Sequence, residues 1–358
     1  MERIKNIEFL RFIFSLIIVC CHLPSGIINM FKNDVNLYKI MISNFHWTSL
    51  AVDFFFIISG FFLFMTAKFE QNFVTFAKKK LIRFMPTVLF MLTLYFIFSI
   101  FTPLSMARFE NLFTILNLQN VGLTFRNGDV PASWFVSSLF WTLCFYFYLY
   151  KSVDRKIFNL ITACIIFFCY SLWIHTNGIN YLNVAYVFNR GMIRAFAGVG
   201  AGYFLAMIYK DNISAIKDKV LNIWQKLFCT GMEIYLFGFL IYYMCLHKTA
   251  YNNPMIMIIS FIGLFSLFVI KKGYLSTMLE NNFSVFLGQF AFAIFLSHQF
   301  VIKLWYFYVC KAHANWVIAH PILNLVLLFI VIILFGTGVH YCVERPVAKY
   351  FRIKKSNV

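Results

Sequence analysis

The stretch RFIFSLIIVCCH, residues 11–22, is almost wholly apolar, yet it begins with an arginine and ends with a histidine. Such a run is typical of a helix that crosses a bilayer. A step of eleven residues is close to a whole number of helical turns, so Arg11 and His22 lie on one face, about 16 Å apart along the axis. One face of this first helix is therefore predicted to carry polar groups into an apolar layer.

The rest of the chain has the same character. Of its 358 residues, 61% are hydrophobic, 21% are aromatic and only 12% are charged. Long apolar stretches alternate with short basic segments, which predicts an all-α, polytopic transmembrane helical bundle. We predict a single integral-membrane domain over residues 1–358, with about ten spans. These spans lie near residues 8–28, 45–67, 84–104, 132–150, 157–174, 191–209, 227–247, 254–270, 286–309 and 321–342.

The net charge of +18 raises the alternative of a nucleic-acid binder, but the 31 basic residues are segregated along the chain. With a cytoplasmic N-terminus, 21 of them lie in the predicted inner segments and seven in the outer ones. This is the asymmetry of the positive-inside rule, and an even number of spans places both termini in the cytoplasm. The positive charge is therefore explained by membrane topology. We expect the lipid bilayer to be a partner of this protein and nucleic acid not to be one. The cysteines show no metal-ligand spacing, so no metal is expected.

The segments between the spans are predicted to be short. The longest outer connection, residues 105–131, is polar enough to form a capping loop with a short helix over an extracytoplasmic mouth. The inner segments 68–83, 210–226 and 271–285 are predicted to be short amphipathic pieces along the membrane surface.

Three ionisable residues are predicted at one depth in the membrane. His22 lies about 22 Å from the inner end of its helix, and His298 about 18 Å from the inner end of the ninth. Asp53 lies about 10 Å below the outer end of the second helix, so in a core of about 30 Å the three levels nearly coincide. We predict a catalytic group in which Asp53 contacts His22 and raises its basicity as a general base. The alternative for His22 is a hydrogen bond to a backbone carbonyl.

A basic segment, FVTFAKKKLIRFMP at residues 73–86, leads into the third span. Two interpretations fit its basic residues Lys79, Lys80 and Arg83. They are either the positive charge that cytoplasmic segments ordinarily carry, or a phosphate-binding site at the inner mouth of the bundle. Periodicity does not separate these two interpretations.

Other polar residues near the span ends also allow two interpretations. Trp134 and Ser137, at the outer start of the fourth span, suit an interfacial aromatic belt and helix packing, or substrate positioning. Arg194, near the outer end of the sixth span, is a charge anchor or a substrate-binding group. Glu8 and Arg11 are spaced to form an ion pair at the inner interface.

Taken in order, these residues resemble the acyltransferase-3 family of bacterial membrane proteins along the whole chain. The family opens with an arginine, ten residues and a histidine, as Arg11 and His22 do here. Its second-helix signature is similar to AVDFFFIISG, and its basic pair followed by a proline is similar to Lys80, Arg83 and Pro86. SWFVSSLFW, LGQFAFAIFLSH and ERP are the later landmarks of the resemblance.

The resemblance implies a ten-helix enzyme of the bacterial cytoplasmic membrane. It would take an acyl group, usually acetyl, from cytoplasmic acetyl-CoA or another acyl-CoA. It would deliver that group to a hydroxyl of an extracytoplasmic glycan or similar acceptor. By the same resemblance His22 would be the catalytic base, Arg11 would lie on the donor path, and Lys80 and Arg83 would meet the CoA phosphates. The chain departs from the family at Lys80, where arginine is more typical.

Two other functions remain open from the sequence. A transporter of a carboxylate or lipid-linked glycan would use the same intramembrane residues for proton coupling, and it would need an ion gradient and no CoA. A non-catalytic scaffold in a glycan-assembly complex would tolerate the loss of His22.

Overall fold

The computed structural model describes residues 3–23, 27, 45–101, 108–123, 128–175, 189–246 and 254–356. These residues form helices and no strands, so the predicted all-α class is confirmed. The α-helices are α1 (Lys5–Cys21), α2 (Ala51–Thr66), α3 (Phe73–Phe101), α4 (Arg108–Ile115), α5 (Ser133–Ser152), α6 (Arg155–His175), α7 (Arg190–Asp218), α8 (Ile223–Cys245), α9 (Pro254–Ile270), α10 (Tyr274–Met278), α11 (Asn282–Gly288), α12 (Ala291–Trp305), α13 (Ala314–Ala319), α14 (Pro321–Val339) and α15 (Arg345–Ser356). A 3-10 segment leads into α2 (Phe45–Leu50), and π-helical segments follow α12 (Tyr306–Cys310) and α14 (His340–Glu344).

Seven helical stretches in the described part of the chain are long and apolar enough to cross a membrane. They are Trp47–Thr66, Phe73–Phe101, Arg155–His175, Arg190–Asn212, Ile223–Cys245, Asn282–Cys310 and Pro321–Phe351. The other three predicted spans fall on α1 and α9, of 17 residues each, and on α5, of 20 residues. The multi-pass membrane character is therefore confirmed, while the count of about ten spans and the cytoplasmic termini stay predictions. The predicted span ends at residues 28, 104 and 247 lie outside the described residues.

The basic segment before the third span is not a separate surface piece, which corrects the sequence prediction. Helix α3 begins at Phe73, so residues 78–83 form its first turns. Phe76 is buried and stacks on Phe147 of α5 with ring centroids 4.0 Å apart, so packing extends the helix beyond the apolar span. Helix α7 likewise continues to residue 218, whereas 271–285 contains the expected short helices α10 and α11.

Helices α2 and α7 make the most extensive helix–helix contact in the described structure. A Cβ atom at Gly60 would overlap the carbonyl oxygen of Val199, and one at Gly202 would overlap the carbonyl of Ile57. Small residues allow the backbones of membrane helices to approach this closely, where dispersion contacts stabilise their association. Helix α2 is consequently buried along most of its length, at the centre of the bundle.

Helices α1 and α12 lie between two apolar clusters. Leu10 and Phe14 of α1 belong to the larger cluster, and Phe12 and Val19 on its other side belong to the smaller one. Helix α12 divides its side chains between the two clusters in the same way. Polar side chains on these two helices are therefore enclosed by apolar packing from both directions.

Candidate active site

Two histidines meet where α1 ends beside α12. His22 follows the last residue of α1, and its ring centroid lies 5.0 Å from that of His298, with the ring planes at 42°. His298 is fully buried and His22 is half-buried. The two residues that were predicted at one depth from separate spans are thus in contact.

The hydrogen bonding of His298 defines its basic nitrogen. Nδ1 lies 2.6 Å from the carbonyl oxygen of Phe295. Because a carbonyl oxygen only accepts, Nδ1 carries the proton and donates it, and the lone pair of the neutral ring is on Nε2. Nε2 is buried and has no hydrogen-bond partner among the described residues. An unsatisfied basic nitrogen of this kind is expensive to bury and is available to a substrate or to a proton.

Aromatic side chains pack beside His298. The Phe295 ring lies 6.1 Å from the His298 ring, and it also packs on Phe135 at 5.1 Å and Phe55 at 6.5 Å between centroids. These contacts join α12 to α2 and α5 beside His298. Apolar walls restrict water, which strengthens any electrostatic interaction made inside the site.

Asp53 does not contact His22, and this corrects the predicted catalytic group. Its two carboxylate oxygens accept hydrogen bonds from Nε and NH2 of Arg194, at 3.0 and 2.6 Å. NH2 of Arg194 also donates to the carbonyl of Ser49 at 2.8 Å, and the guanidinium lies 5.3 Å from the Trp173 ring centroid. This buried bidentate pair joins α2 to α7 and α6.

The error has a simple physical reason. Consecutive spans are commonly neighbours in space, which is why the sequence predicts that Asp53 pairs with the preceding span. The partner instead comes from α7, 141 residues further along the chain, through the close packing at Gly60 and Gly202. Depth in the membrane alone does not say which helices touch.

Basic groups gather at the N-terminal end of α1. Glu8 accepts hydrogen bonds from Arg11 at 2.8 Å and from Arg3 at 3.1 Å, so the predicted Glu8–Arg11 pair is present. Arg83 of α3 interacts electrostatically with Arg3, Glu8, Arg11 and Glu344.

The basic residues of α3 divide between this cluster and the surface. Lys80 interacts with Arg83, and its ammonium lies 5.3 Å from the ring centroid of Phe76. Lys79 points away and donates to Gln71 on the exposed surface. Arg83 retains an exposed side chain. We name Arg3, Arg11, Lys80 and Arg83 the cationic cluster. The carboxylates of Glu8 and Glu344 lie among these four cations, so the region keeps a net positive charge.

Glu344, at the end of the tenth predicted span, is a further acidic residue in this region. It accepts a hydrogen bond from Thr87 at 3.3 Å and lies 2.7 Å from Nδ1 of His340. The ERP landmark contains Glu344, but the approach of Glu344 to Arg83 depends on how the π-helical segment His340–Glu344 packs against α3.

The contacts given for Ser137 and Trp134 are with groups other than the two histidines. Ser137 donates to the carbonyl oxygen of Asn117 at 2.9 Å, and Trp141 donates to the same oxygen at 2.8 Å. Ser137 therefore anchors the segment after α4 to α5. Trp134 packs against Gly191, where a Cβ atom would lie 2.7 Å from the ring. The packing interpretation of Ser137 accounts for its hydrogen bond.

The arrangement defines a class of protein: a multi-pass helical membrane protein in which a half-buried and a fully buried imidazole meet. One of the two follows a helix that begins in a cationic cluster. Residues 4–341 match the family model described as "Acyltransferase domain", of the acyltransferase-3 type. The chain belongs to the acyltransferase-3 family and is a membrane acyltransferase. Searches of curated proteins and of solved structures found no match.

Proposed function

We propose that this protein is an O-acyltransferase of the bacterial cytoplasmic membrane. It transfers an acyl group, acetyl in the first instance, from cytoplasmic acyl-CoA to a hydroxyl of an extracytoplasmic glycan or a similar surface acceptor. The observation that carries the proposal is the contact between His22 and His298, with an unpartnered basic nitrogen inside an apolar surround. Acyl transfer to a hydroxyl requires a base of this kind.

The cationic cluster is the proposed donor-binding end. Arg11, Lys80 and Arg83 offer charge-assisted hydrogen bonds to the phosphates of CoA. Helix α1 joins this end to the histidine pair, because Arg11 and His22 are separated by about 16 Å of helix. The extended pantetheine arm of CoA spans such a distance. Lys79, which bonds to Gln71 on the surface, makes no direct contribution to this binding.

The reaction follows from these positions. His22 takes the proton of the acceptor hydroxyl as its oxygen attacks the thioester carbonyl, forming the new C–O bond. The C–S bond then breaks, and the departing CoA thiolate receives the proton from the His22 imidazolium. The His298 ring lies 5.0 Å from the His22 ring between centroids. Its neutral imidazole stabilises the protonated His22, because a neighbouring base favours the charged form. Asp53 and Arg194 act structurally, by holding α2 against α7.

The transporter alternative finds less support in this geometry. A proton pathway would use Asp53 as a titrating group, but Arg194 engages both of its oxygens. Membership of an acyltransferase family also favours group transfer.

A labelling experiment tests the proposal. Membranes that contain the wild-type protein, the His22→Ala variant or a His175→Ala control are incubated with acetyl-CoA labelled in the acetyl group. His175 is exposed at the end of α6, so its loss removes an imidazole away from the site. We expect label in extracted glycan with wild type and control, and at least a hundredfold less with His22→Ala. Equal labelling by His22→Ala would contradict the mechanism, and no wild-type labelling would contradict the acetyl-CoA donor.

A further inference from the structure

A second polar group lies on the far side of the histidine pair from the cationic cluster. The ammonium of Lys303, in α12, lies 4.8 Å from the ring centroid of Tyr95 in α3. Asp129, in the segment before α5, interacts electrostatically with both residues. Asn111 of α4 holds Asp129 through two hydrogen bonds, one to its carboxylate at 2.6 Å and one from its backbone N–H at 2.8 Å.

The positions of these residues along their helices separate them from the donor end. Tyr95 lies twelve residues beyond Arg83 on α3, about 18 Å along the axis. Lys303 lies five residues beyond His298 on α12, about 7.5 Å along the axis. The histidine pair is therefore between the cationic cluster and the Tyr95–Lys303–Asp129 group.

The hydroxyl of Tyr95 is the second, independent sign of a binding site. Tyr95 is 4% exposed, and its hydroxyl has no hydrogen-bond partner in the part of the chain that the structure describes. The ring already packs edge-on against Phe300, with centroids 4.9 Å apart, and phenylalanine would make that contact as well. Burying an unpaired hydroxyl costs stability, so packing gives no reason for tyrosine here. Lys303, in contrast, is exposed and reachable.

We infer that Tyr95, Lys303 and Asp129 form the acceptor subsite, which binds the hydroxyl groups of an uncharged carbohydrate unit next to the histidine pair. The chemistry matches this class of ligand. The phenol both donates and accepts, the ammonium donates, and the carboxylate accepts, as neighbouring sugar hydroxyls require. The opposite charges of Lys303 and Asp129 offset each other, which disfavours selection of an anionic acceptor. This inference rests on the proposed transferase function.

Tyr95→Phe tests the subsite, because it removes one hydroxyl and keeps the ring packing. The matched control is Tyr308→Phe, which removes the hydroxyl of an exposed tyrosine shortly after α12. Glycan extracted from membranes of His22→Ala cells is the acceptor probe, titrated as total hexose against labelled acetyl-CoA. We expect Tyr95→Phe to raise the KM for glycan about three- to tenfold, the value of one hydrogen bond, with the KM for acetyl-CoA unchanged.

Charge variants add a second readout. Lys303→Met is expected to raise the KM for glycan at least as much, and Lys303→Arg to restore most of it. A general structural defect would instead move both KM values or lower kcat alone.

Two outcomes overturn the inference separately from the proposed function. If wild type labels glycan and Tyr95→Phe shows the wild-type KM for glycan, the subsite is wrong and the transferase stands. If wild type labels nothing, glycan binding is measured directly by thermophoresis on purified protein. Weaker binding by Tyr95→Phe than by Tyr308→Phe then supports the subsite without the transferase, and equal binding overturns both.

Discussion

The Asp53–Arg194 pair and the His22–His298 pair are both polar contacts between helices inside an apolar bundle. They differ in whether their polar atoms all have hydrogen-bond partners. Both Asp53 oxygens accept hydrogen bonds from Arg194, whose guanidinium also meets a carbonyl and an indole ring. In the histidine pair, Nε2 of His298 has no partner among the described residues.

This difference separates structure from chemistry. A satisfied ion pair holds helices together, and breaking one side of it leaves an uncompensated charge that costs about 3–5 kcal/mol. An incomplete group adds little stability, but it retains the capacity to take a proton. Intramembrane polar residues are all expensive, so their partners, more than their presence, indicate which of them react.

The largest expected effect is on transfer when His298 is replaced by asparagine. The asparagine amide keeps a donor to the Phe295 carbonyl, so the contact within α12 remains. The substitution removes Nε2, and with it the neighbour that stabilises the protonated His22. We expect kcat to fall about 10²- to 10⁴-fold, the usual value of acid–base catalysis. Initial rates of glycan labelling at saturating acetyl-CoA measure it. A variant that kept wild-type kcat would show that the unpartnered nitrogen is idle.

Asp53→Asn is expected to act on stability instead. It leaves the Arg194 charge buried without its partner, so the free energy of unfolding should fall by about 3–5 kcal/mol. Thermal unfolding in detergent measures the change, with Asp211→Asn as a control on the exposed surface of α7. If Asp53→Asn melts at the wild-type temperature but loses transfer activity, Asp53 belongs to the catalytic group. The proposed difference between the two pairs would then be wrong.

Arg83→Met probes the donor end with a smaller expected effect. A charge-assisted hydrogen bond to phosphate is worth about 1.5–3 kcal/mol, so the KM for acetyl-CoA should rise roughly ten- to hundredfold with little change in kcat. Lys79→Met is the matched control, since that residue bonds to Gln71 on the surface. Equal effects of the two substitutions would indicate nonspecific surface charge, as the positive-inside interpretation predicts.

The smallest effect concerns a partnered acid outside the spans. Burial alone would raise the pKa of Glu280, but hydrogen bonds from Lys271 and from the backbone of Asn6 and Lys5 hold it below the ordinary value of 4.5. The folded pKa is therefore below the unfolded one. Its stabilisation is present above pH 4.5 and is lost as pH falls through the folded value.

Glu280→Gln should cost about 1 kcal/mol at neutral pH and remove this part of the acid dependence. Melting temperatures between pH 3 and 7 measure it, with transfer activity at neutral pH expected to stay near wild type. An unchanged acid dependence would mean that the Lys271 contact contributes nothing.

The sequence predicted the elements better than their contacts. The length of the apolar stretches predicted a helix at every expected span. Depth along the helices predicted that His22 and His298 lie at one level, and the structure brings the two rings into contact. These features depend on local composition and on helical rise, which can be read from one segment at a time.

The features that were missed depend on which helices are neighbours. Asp53 pairs with a residue 141 positions away, and Ser137 bonds to a carbonyl of the segment after α4. Tyr95 carries no sequence signal, because a tyrosine in an apolar helix is ordinary until its hydroxyl is seen to lack a partner. Such contacts follow from tertiary packing and not from periodicity.

A double-mutant cycle on His22 and His298 tests the central claim most directly. Initial rates of acetyl transfer to glycan are measured for wild type, His22→Ala, His298→Ala and the double variant. If the two imidazoles act as one unit, the double variant is no slower than the slower single variant. Losses that multiply would show that the two histidines act independently, and would contradict a single reaction centre formed by their contact.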